Sequence, residues 1–264
     1  MSQYYNQIAY IYDQSRYLTP EIAEEIAAVI LNVVSAQPTT TFLEPGVGTG
    51  INMYPFVERG YSVTGIDPSA EMLAEFCYKV KNPAANLTLV QRDATYLPFS
   101  KNSFDVVLTM HMIHLITDWQ DFLNEVRRVL NPSGTYLFCQ NLLPSHRQIF
   151  EQQFRTMRDT HCPPSQETAN TSAGLAEVSN YFAQFDIAPS YHRAAEWMVS
   201  ESVQSLLSHY WSKAFGSCWA ISDDQFPHLM QAFEDWCLTH YGSLDVILSS
   251  TAIYEIYAFP QKTN

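Results

Sequence analysis

Three closely spaced glycines mark the first place where this chain could do chemistry. Leu43-Glu44-Pro45-Gly46-Val47-Gly48-Thr49-Gly50 follows an apolar run and leads into a helix-forming one. Glycines there permit positive φ and let a ligand approach the backbone closely, and a helix start offers free N–H groups. A dinucleotide loop needs G-x-G-x-x-G. Here the third glycine comes one residue early, and Ile51 stands where the pattern wants Gly. Glu44, just ahead of the loop, would repel a pyrophosphate, so the loop suits a ligand with a cationic or zwitterionic group. Asp67 lies about 20 residues beyond Gly46, where a carboxylate can accept both hydroxyls of a ribose. It could equally serve as a cap for the helix opening at Ser69. Asp93 could accept from an exocyclic amine of adenine while the Ala94 backbone reads the ring edge. Its other reading is a turn-forming Asx residue.

Holding these groups together takes alternating strands and helices. Thr19 and Pro20 open an amphipathic helix over 19–34, with Ile22, Ile26, Val29, Ile30 and Val33 at helical spacing. Strands are expected at 40–43, 61–66, 87–91, 104–109 and 135–139. Helices are expected over 52–58 and 70–80, and from the cap Asp118 to the terminator Asn131-Pro132-Ser133-Gly134. The alternation implies βαβ units and a parallel sheet, an α/β fold, with helices on both faces. Ligands bind such sheets outside the carboxyl ends of the strands, near the switch point. The glycine loop, Asp67, Asp93 and the stretch Met110–His114 should therefore converge. The second half reads as helices over 142–185, with an irregular stretch at Cys162-Pro163-Pro164-Ser165. A strand over 191–199, helices over 200–241 and a final strand over 252–259 follow.

Composition narrows the partners. The chain has 264 residues, with 14 Lys and Arg against 27 Asp and Glu, a formal charge of −13. Nucleic-acid binders need cations to displace phosphate counterions, and anionic membrane surfaces attract basic segments. Neither partner is expected. Five cysteines, an odd number without a CxxC pair, argue against a disulfide framework and for a reducing cytoplasm. The N-terminus lacks the pattern of a signal peptide, and no apolar run approaches the roughly 18 residues of a membrane span. The oligomeric state is left open.

Taken as a set, the motifs resemble the class I S-adenosylmethionine-dependent methyltransferases. The closest flavour is the small-molecule type similar to the ubiquinone and menaquinone biosynthesis methyltransferases. Residues 43–50 resemble that family's first motif, and Val63-Thr64-Gly65-Ile66-Asp67-Pro68-Ser69 its second-strand acidic motif. Residues 92–99 and 103–107 resemble its third and fourth strands. Residues 126–134 resemble its late helix–turn element, with Ser133 in place of a usual Gly. Ala9-Tyr10-Ile11-Tyr12-Asp13 fits its opening pattern. The resemblance implies a Rossmann-like, doubly wound, mostly parallel seven-stranded sheet with a helical cap. The whole of 1–264 would be one domain. Residues 36–141 would form the cofactor-binding core, 142–185 and 200–245 the cap, and 186–199 and 246–264 the closing strands.

The resemblance also implies roles for residues. Glu44, Gly46 and Gly48 would hold the methionine end of S-adenosylmethionine, and Asp67 its ribose. Asp93 and Ala94 would read adenine, with Met72 packed against adenine or ribose. Met110 and His111 would pass close to the sulfonium. Tyr12 and Arg16 would close over the cofactor, Arg16 near its carboxylate. His114, with His111 as the other candidate, would remove a proton from the acceptor, or both would be wall residues. The two lack the spacing of a helical metal pair, so no metal site is expected. Trp211, Trp219, Trp236 and Tyr210 would line an apolar acceptor pocket or simply form core. The implied activity is methyl transfer to an O, C or N atom of a small organic, apolar or aromatic substrate. The rivals are an NAD-dependent dehydrogenase and a non-catalytic module that binds the same cofactor.

Overall fold

A computed structural model describes residues 2–80, 85–162 and 173–262. Seven strands, β1 Thr41–Pro45, β2 Ser62–Asp67, β3 Leu87–Gln91, β4 Phe104–Met110, β5 Leu130–Leu142, β6 Ser190–Ser202 and β7 Ile247–Pro260, form one sheet in the order β3-β2-β1-β4-β5-β7-β6. The first five run parallel, while β7 pairs antiparallel with both β5 and β6. The winding direction reverses between β1 and β4, so the switch-point crevice opens at their carboxyl ends.

The helices are α1 Ser2–Ile8, α2 Pro20–Val33, α3 Tyr54–Glu58, α4 Ala70–Lys79, α5 Trp119–Val129, α6 Ser145–His161, α7 Leu175–Ala183, α8 Val203–Trp211 and α9 Phe226–Tyr241. Thr19 caps α2 by accepting the Ile22 N–H, with Pro20 at the first helical position. The buried stripe of α2 (Ala23, Ile26, Ala27, Ile30) lies with α3 and α4 on one face of the sheet. On the other face α5 and α7 bury Phe122, Val126, Val178 and Phe182 against Tyr136 and Phe259. A third core, with Phe150, Phe154, Leu206, Leu207, Leu229 and Phe233, joins α6, α8 and α9. Each such side chain contributes about 1.5–3 kcal/mol on full burial.

Several expectations need correction. Helix α7 falls within the segment assigned to the cap, yet it packs on the sheet. Its Phe182 ring lies 4.6 Å from Phe259 and 5.4 Å from Tyr136, because its apolar stripe meets the aromatic face of β5 and β7. Residues 200–202 are strand rather than helix, and Ser202 caps α8 by accepting the Ser205 N–H. Asp118 stands at the start of α5 but makes no capping bond with its side chain. Asn131–Gly134 does end α5, but as a bulge inside β5. Leu130 already pairs with Phe104, and the next pair is Val106 with Thr135. Of the irregular stretch around Cys162, residues 163–165 lie outside the described residues.

Candidate active site at the strand ends

The chain must turn sharply after β1 to reach α3. Gly46, Gly48 and Gly50 make that turn at φ of 72°, 54° and 69°, a region that glycine enters without strain. Gly46 and Val47 donate to the Ile66 carbonyl at 2.7 and 2.9 Å. The Gly48 N–H donates to Asp67 Oδ2 and the Ser69 N–H to Oδ1, each at 2.9 Å. Asp67 thus fastens the glycine loop to the end of β2. The cap of α4 is the Ser69 hydroxyl, which accepts the Met72 N–H. An ionised carboxylate has about four acceptor sites, so Asp67 keeps capacity for a diol. Burial raises its pKa, and the two backbone donors oppose that rise. A Cβ on Gly48 would meet nothing within 4 Å, so the loop leaves room in front of it.

Glu44 is almost fully buried. Its Oε1 accepts from Asn52 at 3.4 Å, and its Oε2 has no hydrogen-bond partner among the described residues. Burial pushes its pKa well above the usual carboxylate range; the Asn52 amide opposes this and the Asp67 charge adds to it. A buried carboxylate left this way is costly unless a cation or donors meet it.

The N-terminal segment reaches over the glycine loop. Asp13 accepts from the Thr49 hydroxyl and from Lys79 Nζ, each at 2.5 Å, and Lys79 also donates to the Thr49 carbonyl at 2.9 Å. The Arg16 guanidinium lies 4.2 Å from the Tyr12 ring centroid and 5.8 Å from that of Phe215. Among the described residues no carboxylate forms an ion pair with it. Tyr5, which the sequence did not single out, feels both Arg16 and Asp67. Burial above all pushes its pKa up to about 12, with Tyr12 adding to the rise. It lies outside the opening pattern of residues 9–13, and no motif signalled it. Met72, expected against adenine or ribose, is buried and packs with Ile8 and Ala9 of the N-terminal segment.

At the third strand end, Ala94 is buried and Asp93 exposed. Asp93 Oδ1 accepts the Thr95 N–H at 2.9 Å, the Asx-turn reading, and its other oxygen stays free of protein donors among the described residues. Met110 is half-buried at the end of β4. His111 follows it at φ 50°, a conformation that non-glycine residues hold only when surroundings enforce it. His111 is exposed, yet neighbouring protein atoms crowd its ring. That crowding, then the Arg16 charge and His114, pushes its pKa down to about 4. Its Nε2 accepts the Asn141 N–H at 3.3 Å, which assigns the proton of the neutral ring to Nδ1. His114 sits on a short 3-10 turn, its pKa also lowered by desolvation. Its ring makes no hydrogen bond among the described residues.

A separate cavity of about 340 Å³ lies between α1 and the α8–α9 region, bordered by Tyr4, Trp211, Trp219, Phe226 and the Lys213–Asp223 pair. Trp211 and Trp219 therefore line a pocket, although not one at the glycine loop. Tyr210 is buried in the third core, and Trp236 packs at its edge against Phe233.

A seven-stranded sheet of this order, with a glycine loop after β1 and an acidic residue after β2, defines a Rossmann-like fold. The chain shares that fold over 90% of its length and 99% of the YcgJ protein of Bacillus subtilis, with a TM-score of 0.57 at 17% identity. It also matches phosphoethanolamine N-methyltransferase 2 of Haemonchus contortus, solved with phosphomonomethylethanolamine and S-adenosylhomocysteine. That match has a TM-score of 0.50 at 18% identity and covers 90% of this chain and 52% of that one. Residues 43–138 match the family described as a methyltransferase domain. A demethylmenaquinone methyltransferase of Tropheryma whipplei is 29% identical over 143 residues, 52% of this chain and 56% of that enzyme. The chain thus spans about half the length of that curated relative. Over residues 43–138 this chain is thus similar to methyltransferase domains.

Proposed function

We propose that this chain transfers the methyl group of S-adenosylmethionine to an O, C or N atom of a small organic, apolar or aromatic acceptor. The observation that carries this reading is the buried, unpartnered Glu44 oxygen beside a glycine loop. It disfavours a pyrophosphate, and with it the dehydrogenase alternative, and it suits an ammonium. Arg16, without a carboxylate of its own, would take the carboxylate of the methionine end, and Asp67 the ribose hydroxyls. Bound S-adenosylmethionine supplies an electrophilic methyl carbon and a positive charge that is lost on transfer.

The protein's part is alignment and exclusion of water. The Gly46–Gly50 turn and Asp67 fix the nucleoside, while Tyr5, Tyr12 and Arg16 cover it from the N-terminal side. Where the acceptor carries a proton, a neutral imidazole can take it. His111 Nε2 already accepts a backbone N–H, so the base would be His114. The acidic balance supports a small molecule rather than nucleic acid. Among the described residues no helix is long and apolar enough to cross a membrane, and a cytoplasmic setting fits the cysteine usage. Fold alone does not choose the acceptor. Calorimetric titration should show binding of S-adenosylmethionine and S-adenosylhomocysteine and none of NADH; the reverse pattern would sink the proposal. Release of S-adenosylhomocysteine in an acceptor screen then separates an enzyme from a binding module.

A further inference from the structure

The backbone on both sides of Arg16 is held by side chains from the second half of the chain. The Ser15 carbonyl accepts Arg147 Nη1 at 3.0 Å, and the Tyr17 carbonyl accepts Trp197 Nε1 at 3.0 Å. Arg147 lies in the first turn of α6 and Trp197 on β6. The Arg16 N–H itself donates to the Asp13 carbonyl at 3.0 Å, and the Asp13 carboxylate accepts the Thr49 hydroxyl of the glycine loop. Arg16 is thus fastened on its N-terminal side to the glycine loop and on both flanks to α6 and β6. Its guanidinium lies over the Tyr12 ring.

Arg147 is buried, and a carboxylate sets its orientation. Nε and Nη2 donate to Glu201 Oε1 and Oε2 at 2.5 and 2.6 Å, a two-pronged pair. His146 bonds the same Oε1 through Nε2 at 2.9 Å and the Ser250 hydroxyl through Nδ1 at 2.6 Å. The guanidinium also lies 4.7 Å from the Tyr17 ring centroid. Apolar residues can often replace a buried ion pair without loss of stability. What they cannot do is aim a donor at the Ser15 carbonyl. Fixing the backbone beforehand spares a binding group the ordering cost it would otherwise meet. We infer, resting on the reading of Arg16 as the group that meets the carboxylate of the methionine end, that Arg147 and Trp197 are positioning residues for Arg16. Glu201 and His146 hold Arg147 to that task.

The test compares two ligands by calorimetry on the whole chain. S-Adenosylhomocysteine carries the carboxylate; 5′-methylthioadenosine keeps the nucleoside and the sulfur but has no amino acid. Arg147→Lys keeps a positive charge opposite Glu201, but a compact ammonium cannot make the two-pronged pair and reach Ser15 together. It should weaken S-adenosylhomocysteine about tenfold, roughly 1.4 kcal/mol, and leave methylthioadenosine unchanged. Trp197→Phe, which deletes one N–H and keeps an aromatic ring, should act in the same direction. In an Arg16→Ala background both losses should vanish, because the effect travels through Arg16. An unchanged Kd for S-adenosylhomocysteine in both single variants would overturn the inference. So would an equal loss for both ligands, or a loss that persists in the Arg16→Ala background, since either would mean disturbed packing. Should Arg147→Lys fail to fold, the same cycle run with Trp197→Phe decides. If the parent bound neither ligand, or Arg16→Ala bound S-adenosylhomocysteine as tightly as the parent, the reading of Arg16 itself would fall, and the inference with it.

Discussion

Replacing Glu44 by Gln should move stability and affinity in opposite directions. In the free protein Glu44 is a buried carboxylate with one oxygen unpartnered and a single long contact to Asn52. An unsatisfied buried polar group costs about 1–3 kcal/mol, more when charged. A neutral amide of the same shape should recover about 1–2 kcal/mol, and for a chain of this size each kcal/mol shifts Tm by roughly 2–4 °C. The free variant should therefore melt roughly 2–8 °C higher than the parent. Affinity should fall, since a hydrogen bond to a charged group contributes about 1.5–3 kcal/mol, or about 10- to 150-fold in Kd. The pH dependence follows with its sign. The folded pKa is raised above the ordinary value of 4.5, so the folded state holds the proton more tightly than the unfolded chain. This contribution to stability is lost as pH rises from about 4.5 through the folded pKa. Over the same window the ionised form grows, so affinity for an ammonium ligand rises with pH. The Gln variant should show neither slope. Scanning calorimetry of the free protein and titration with S-adenosylhomocysteine across pH read both. A variant that melts lower and binds as tightly as the parent would refute the assignment.

Asp67→Ala should weaken S-adenosylmethionine by about 1.5–3 kcal/mol or more. It should also loosen the glycine loop, since both carboxylate oxygens accept backbone N–H groups; an unchanged Kd in a folded variant removes Asp67 from the site. His114→Ala should slow turnover with near-normal cofactor affinity, and equal turnover would retire it as the base. Gly50→Ala should destabilise the chain by about 1–3 kcal/mol, because its Cβ would sit 2.3 Å from the Phe76 ring at φ 69°. Denaturant unfolding measures this, and a neutral result would mean that the ring moves freely.

Legibility in the sequence followed the range over which each signal acts. The parallel core was readable because each strand ends in its own local punctuation. The glycine loop after β1, Asp67-Pro68-Ser69 after β2 and Asp93 after β3 each announce a strand end without help from distant residues. Elements set by tertiary partners were not readable. Helix α7 has an ordinary amphipathic stripe, and only the aromatic face of β5 and β7 decides where it docks. Residues 200–202 lack a strong strand pattern and are drawn into β6 by pairing with 247–249. Met72 shows the same limit at the site, since its burial depends on Ile8 and Ala9, more than sixty positions away in sequence. The strongest case is Asn141 and Tyr254. Their juxtaposition depends on the antiparallel register between β5 and β7, and no local pattern around either residue encodes that register. A motif can name a loop because a loop is local. A pairing between distant strands exists only once the sheet is ordered, so the groups that sequence reading misses are those contributed by closing strands.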